Sequence, residues 1–103
     1  MRFMENNILL DNIKHGDRNS ILVGLKHKGA IYRINALINI VRHSIDDSAE
    51  INEELYKLLE DDISIDGYTV SDFAYAVLDL TGIESYSGND KHIKDLIDSR
   101  LVF

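Results

Sequence analysis

Ala30-Ile31-Tyr32-Arg33-Ile34-Asn35-Ala36-Leu37-Ile38-Asn39-Ile40-Val41 is the stretch that decides the fold. Ala30, Ile31, Ile34, Leu37, Ile38 and Val41 recur at spacings of three and four, the period of one face of an α-helix. Ala36 and Ile40 widen the apolar arc, so the helix is expected at the centre of the molecule, packed on more than one side.

The same pattern returns further along the chain. A shift of 39 residues pairs Ile31, Ile34, Leu37, Ile38 and Val41 with Val70, Phe73, Ala76, Val77 and Leu80. A shift of 38 pairs Ala36 with Ala74. Either offset is the length at which helical hairpins repeat, each burying its apolar face against the next.

Working outward, helical periodicity and terminal signals predict six helices. The first runs from about Glu5 to Lys14 with Ile8, Leu9 and Ile13 on one side, and Gly16 suits its C-terminal cap. Asp17 caps a second, which turns Ile21, Leu22 and Leu25 inward and stops near Lys28-Gly29, where the third begins. Asp47-Ser48-Ala49-Glu50 has the form of a capping box ahead of a fourth, whose stripe is Ile51, Leu55, Leu58 and Leu59. Thr69-Val70-Ser71-Asp72 opens a fifth that buries Val70, Phe73, Ala74, Val77 and Leu80 and ends at Gly82. A sixth, about Asn89 to Ser99, uses Ile93, Leu96 and Ile97, and the apolar tail Leu101-Val102-Phe103 is expected to fold back on the core.

Composition agrees. The 103 residues contain no proline, which continuous helices exclude and strand-rich folds use as punctuation. At 45% apolar residues the chain can bury a modest core, and residues 1–103 are expected to form one domain. With no cysteine, neither a disulfide framework nor a thiolate metal site can be built. The N-terminal Met1-Arg2-Phe3-Met4-Glu5-Asn6-Asn7 lacks the apolar core of a signal peptide, and no apolar run is long enough to span a bilayer, so a cytoplasmic, non-membrane location is expected.

A net charge of −7 argues against a nucleic-acid partner, because phosphate contacts need a basic surface. Its distribution is more informative. Residues 1–44 carry seven Lys/Arg against three Asp/Glu, residues 45–72 carry ten Asp/Glu against Lys57 alone, and residues 73–103 carry five against three. On the fourth helix Glu50, Glu53, Glu54, Lys57 and Asp61 are expected opposite Ile51, Leu55 and Leu58. Glu50 and Glu54, four apart, repel there by a few tenths of a kcal/mol at most. Helix capping by Asp47, Glu50 and Asp72 and a Glu53–Lys57 pair explain part of this acidity; a basic partner explains the rest.

Asp62-Ile63-Ser64-Ile65-Asp66-Gly67 matches the opening of a calcium loop, but position twelve, which needs a bidentate Glu, is Phe73, which the periodicity places in the core. A turn between hairpins is the better reading. His15, His27, His43 and His92 share no helical face, and no nucleophile elbow or Gly-rich phosphate loop occurs, so neither a metal, a cofactor nor an enzymatic activity is expected. The candidate partner-binding residues are Glu50, Glu53, Glu54, Lys57, Asp61, Asp62, Asp66, Tyr68 and Asp72, with Tyr68, beside Gly67, as an aromatic anchor.

Tyr32-Arg33-Ile34-Asn35-Ala36-Leu37, and Leu58-Leu59-Glu60-Asp61-Asp62 leading to Val70-Ser71-Asp72-Phe73-Ala74-Tyr75-Ala76-Val77-Leu78, resemble HEAT repeats over roughly residues 18–98. They depart from that pattern at Ser71, where the family favours arginine, and at Asn39, where it favours a small apolar residue. The resemblance implies an all-α, short right-handed solenoid of antiparallel hairpins, and a ladder from Arg33 to Asp61, Asp62 or Asp72. In size, acidity and helical texture the chain also resembles bacterial immunity proteins of contact-dependent growth inhibition and polymorphic toxin systems. That resemblance implies binding to a cognate toxin domain, commonly a basic nuclease, whose active or substrate site the acidic region covers. The alternative is a HEAT-like scaffold or regulatory adaptor with no toxin partner.

Overall fold

The computed structural model describes residues 2–45 and 48–101. They form an all-α fold of six helices, α1 Arg2–Lys14, α2 Arg18–Leu25, α3 Ala30–Arg42, α4 Ala49–Leu58, α5 Val70–Leu80 and α6 Lys91–Ser99. Between α4 and α5 lies a two-stranded antiparallel hairpin, β1 Ser64–Ile65 and β2 Tyr68–Thr69.

Local chemistry sets the boundaries. At the end of α1, Gly16 takes φ +82°, a left-handed conformation that costs a Cβ-bearing residue about 1–2 kcal/mol. Its N–H then reaches the Ile13 carbonyl and that of Asp17 the Asn12 carbonyl, both at 3.0 Å, which closes a Schellman turn. Asp17 caps α2 in turn by accepting from the Ser20 backbone N–H (3.0 Å) and hydroxyl (2.6 Å). These two bonds, the hydroxyl first, hold the Asp17 carboxyl below its ordinary pKa of 3.8. Ser48 caps α4 by accepting from the Ile51 N–H, while Asp46 and the Asp47 of the expected capping box lie outside the described residues. Thr69 and Asp72 form a complete box at α5: Asp72 N–H donates to Thr69 Oγ1 (3.1 Å) and Thr69 N–H to Asp72 Oδ2 (3.0 Å).

The helices pack as two adjacent pairs. α2 lies on α3 and α4 on α5, while α2 also meets α4 and α3 meets α5. α1 flanks the first pair and α6 the second, which gives an elongated molecule of 44 × 27 × 23 Å. Ile13, Ile21, Leu25, Leu37, Leu55 and Val77 are among the residues of one continuous core drawn from both pairs. Gly24 lets three helices converge: a Cβ there would sit 2.7 Å from Ile13 Cδ1, 3.1 Å from Ala36 Cβ and 3.3 Å from the Tyr32 carbonyl oxygen.

Three local expectations need correction. Ile8, expected inward, is exposed, because Leu9 and Ile13, four residues apart, define the buried side of α1 and Ile8 lies about 100° from Leu9. Ile31 is likewise 48% exposed, since α5 packs along the side of α3 that carries Ile34 and Leu37. The Ser64–Thr69 turn is a β-hairpin. Asp66 (φ +54°) and Gly67 (φ +87°) provide the two left-handed residues of a type I′ turn, and Ile65 pairs with Tyr68 across it. Of the tail, Leu101 is buried as expected, and Val102-Phe103 lie outside the described residues.

Candidate protein-interaction surface

The acidic middle third divides into carboxylates held by the fold and carboxylates left to solvent. Asp61 belongs to the first group. It lies past the end of α4, not on its solvent face, and its Oδ2 is 2.8 Å from Arg33 Nε, with the two side chains only 16% and 12% exposed. The contact is an ion pair without an aligned Nε–H bond, and Arg33 Nη1 instead donates to the His27 and Lys28 carbonyls at 2.7 and 2.8 Å. Asp61 Oδ1 accepts from Ile63 N–H and its backbone carbonyl from Ser71 N–H (2.8 Å), so this one residue ties the end of α4 to the hairpin and to the start of α5.

Asp72 is also held. It is buried inside the capping box and is not part of any exposed surface. Glu54 is turned to the edge of the core, its side chain 12% exposed, because at 100° per residue it falls only about 40° from Leu58 around α4. It accepts from Lys57 Nζ at 3.0 Å, and Glu53 lies 3.5 Å from the same nitrogen. The hydrogen bond to Glu54, and after it the charges of Glu54 and Glu53, raise the Lys57 pKa. Tyr56 donates to Glu84 Oε1 (2.7 Å), which raises the phenol's pKa and joins α4 to the loop after α5.

The second group comprises Glu50 and Glu53 on α4, Glu60 and Asp62 in the loop after it, and Asp66 at the hairpin tip, all exposed. Among the described residues no cation pairs with Glu50, Glu60, Asp62 or Asp66. Lys57, 61% exposed, is the one base in the same stretch. The exposed charged residues of this stretch are therefore predominantly acidic.

Next to it the hairpin creates a feature that periodicity did not reveal. Ile65 and Tyr68 stand over Ile31, Ile34 and Ile38 of α3 and Phe73 of α5, leaving an open apolar cavity of about 360 Å³ with Asp66 on its rim. Tyr68 is half-buried, edge-on to Phe73 (ring centroids 6.0 Å) and to His92 (5.5 Å). The expected anchor thus lines a hollow instead of projecting from a turn. The unusually wide apolar arc of α3 was the available signal.

Asp62, Ser64 and Asp66 are distributed around the hairpin, and Phe73 is in the core. Among the described residues no three His, Asp or Glu side chains gather to hold a metal ion, and no helix is long and apolar enough to cross a membrane. Compared with protein-family models, curated proteins and solved structures, the chain matches none.

Proposed function

We propose that this chain is a protein-binding domain that engages a basic partner through α4, the loop after it and the hairpin tip. The observation that carries this is the run of exposed carboxylates from α4 to the hairpin tip, Glu50, Glu60, Asp62 and Asp66, which pair with no cation among the described residues, joined by Glu53, with Lys57 the one base in the same run of sequence. Such a field accelerates encounter with a positive surface and sets the orientation of docking, and it is confined to about a third of the chain. On this reading the pairs α2–α3 and α4–α5 are the units of a short right-handed HEAT-like solenoid, and α4 lies on its outer side.

The partner in this proposal is a bacterial toxin domain, which the chain neutralises in the cytoplasm as an immunity protein by covering an active or substrate site. The resemblance in size, acidity and helical texture supports that choice, and a nuclease, whose substrate surface is basic, is the toxin class that the charge fits best. The experiment is co-purification with the C-terminal domain of a large secreted protein encoded by a neighbouring reading frame. Reversal of Glu50, Glu53, Asp62 and Asp66 to lysine, residues that among the described residues hold no ion pair apart from the solvent-exposed Glu53–Lys57 contact, is expected to abolish the complex while circular dichroism shows an intact fold. Unchanged affinity would sink the assignment of the acidic surface. Absence of any toxin gene, with charge-sensitive binding to another protein, would favour the adaptor reading.

A further inference from the structure

The apolar cavity beneath the hairpin does not end there. Ile38 also lines a second open cavity, of about 370 Å³, with Val41 and Arg42 of α3 and Arg100 beyond α6. Ile38 lines both hollows, which therefore lie side by side along α3 as two parts of one furrow-like surface. Its ends differ in charge: Asp66 stands at the hairpin end, and Arg42 and Arg100 stand at the other. Both arginines are exposed, and neither pairs with a carboxylate among the described residues. Two arginines on one cavity, without a carboxylate partner among the described residues, stand out in a chain of net charge −7. Between the ends the lining of the first hollow is isoleucine, tyrosine and phenylalanine with Asn35 among them, and Ile31 is 48% exposed.

We infer that this furrow seats a short segment of the protein partner, cationic where it meets Asp66, apolar along Ile31 and Ile38, and anionic where it meets Arg42 and Arg100. The inference rests on the protein-binding reading above and adds a second, chemically different contact to it. Charge complementarity selects the occupant. A wholly basic segment is repelled at the arginine end, and a wholly acidic one at Asp66. From Ile31 to Arg42 the helix advances about 16 Å, the span of about five extended residues. The apolar centre contributes affinity and the two ends fix the register.

Three fluorescein-labelled peptides of about eight residues, each with the same apolar centre, test this by fluorescence polarisation against the full chain. One ends in lysines and aspartates, one in lysines at both ends, one in aspartates at both ends. The mixed peptide is expected to bind at least about tenfold more tightly than the other two. Asp66→Lys should shift the preference to the peptide with aspartates at both ends, and Arg42→Glu with Arg100→Glu to the peptide with lysines at both ends. Ile38→Glu, at a partly exposed site, should weaken all three. Equal affinities, a preference that the charge variants do not move, or no binding up to about 1 mM overturns the proposal. Asp66 serves both contacts, so the acidic surface is tested apart from the furrow by reversing Glu50, Glu53 and Asp62 alone, and the furrow apart from the acidic surface by the Arg42→Glu, Arg100→Glu and Ile38→Glu variants.

Discussion

Arg33 and Asp61, 28 residues apart, meet at 2.8 Å and link the loop between α2 and α3 to the loop that follows α4. From α3 the guanidinium also holds two carbonyls of the preceding α2–α3 loop, and the carboxylate holds the Ile63 N–H that leads into the hairpin, so the pair joins one helix pair to the next. Its partial burial puts it between a surface pair, at about 0–1 kcal/mol, and a buried one, whose breakage costs about 3–5 kcal/mol. Arg33→Ala is expected to lose about 2 kcal/mol in urea unfolding, and Arg33→Lys is expected to recover little, because a point charge cannot satisfy carbonyls and carboxylate together. A double-mutant cycle with Asp61→Ala that shows no coupling would remove the pair from this role.

Thr69→Ala should cost about 1 kcal/mol through loss of the α5 cap. Asp72→Ala should destabilise similarly, with no effect on partner affinity per folded molecule, because the carboxylate is buried in the capping box. Calorimetric binding of stability-matched variants separates these effects.

Gly24→Val should destabilise by at least about 2 kcal/mol, even though valine is the better helix former. The branched side chain enters the space held by Ile13 Cδ1, Ala36 Cβ and the Tyr32 carbonyl. A valine variant as stable as the native chain in thermal melts would show that α1, α2 and α3 do not meet there.

Asp17 carries a pH signature. Its carboxyl pKa is lowered by the Ser20 hydroxyl and N–H, so its contribution is fully present above the ordinary value of 3.8 and is lost as pH falls through the depressed folded value. The stability difference between native chain and Asp17→Ala is therefore expected to hold constant from neutrality to about pH 5 and to shrink below 3.8. A difference that grew in acid would reverse the sign.

The helices were legible because caps and periodicity agree: Asp17 and Thr69 stand at the N-caps expected of them, while α4 is capped by Ser48, one residue after the Asp47 at which the expected box began. The hairpin was legible in principle, since Asp66-Gly67 is a preferred pair for a type I′ turn, but the same residues also fit the opening of a calcium loop, so local sequence alone supports two turn chemistries. What could not be read was which apolar residues stay uncovered. Ile31 and Ile34 sit on the same side of α3 by spacing, yet Ile34 is 5% exposed and Ile31 48%, because coverage depends on where α5 and the hairpin dock. For the same reason charge density located the acidic third but could not separate Asp61, Asp72 and Glu54, held by Arg33, a helix cap and Lys57, from Glu50, Asp62 and Asp66.

The most direct test of the central claim is isothermal titration of the proposed partner, the C-terminal domain encoded by the neighbouring reading frame, with the native chain and with the Glu50, Glu53, Asp62 and Asp66 lysine reversal, at low and at high salt. The predicted result is tight binding by the native chain, weakened by salt, and a loss of at least about a hundredfold in the folded variant. Binding by the variant at native affinity, with no dependence on salt, would contradict the claim that this acidic surface makes the contact.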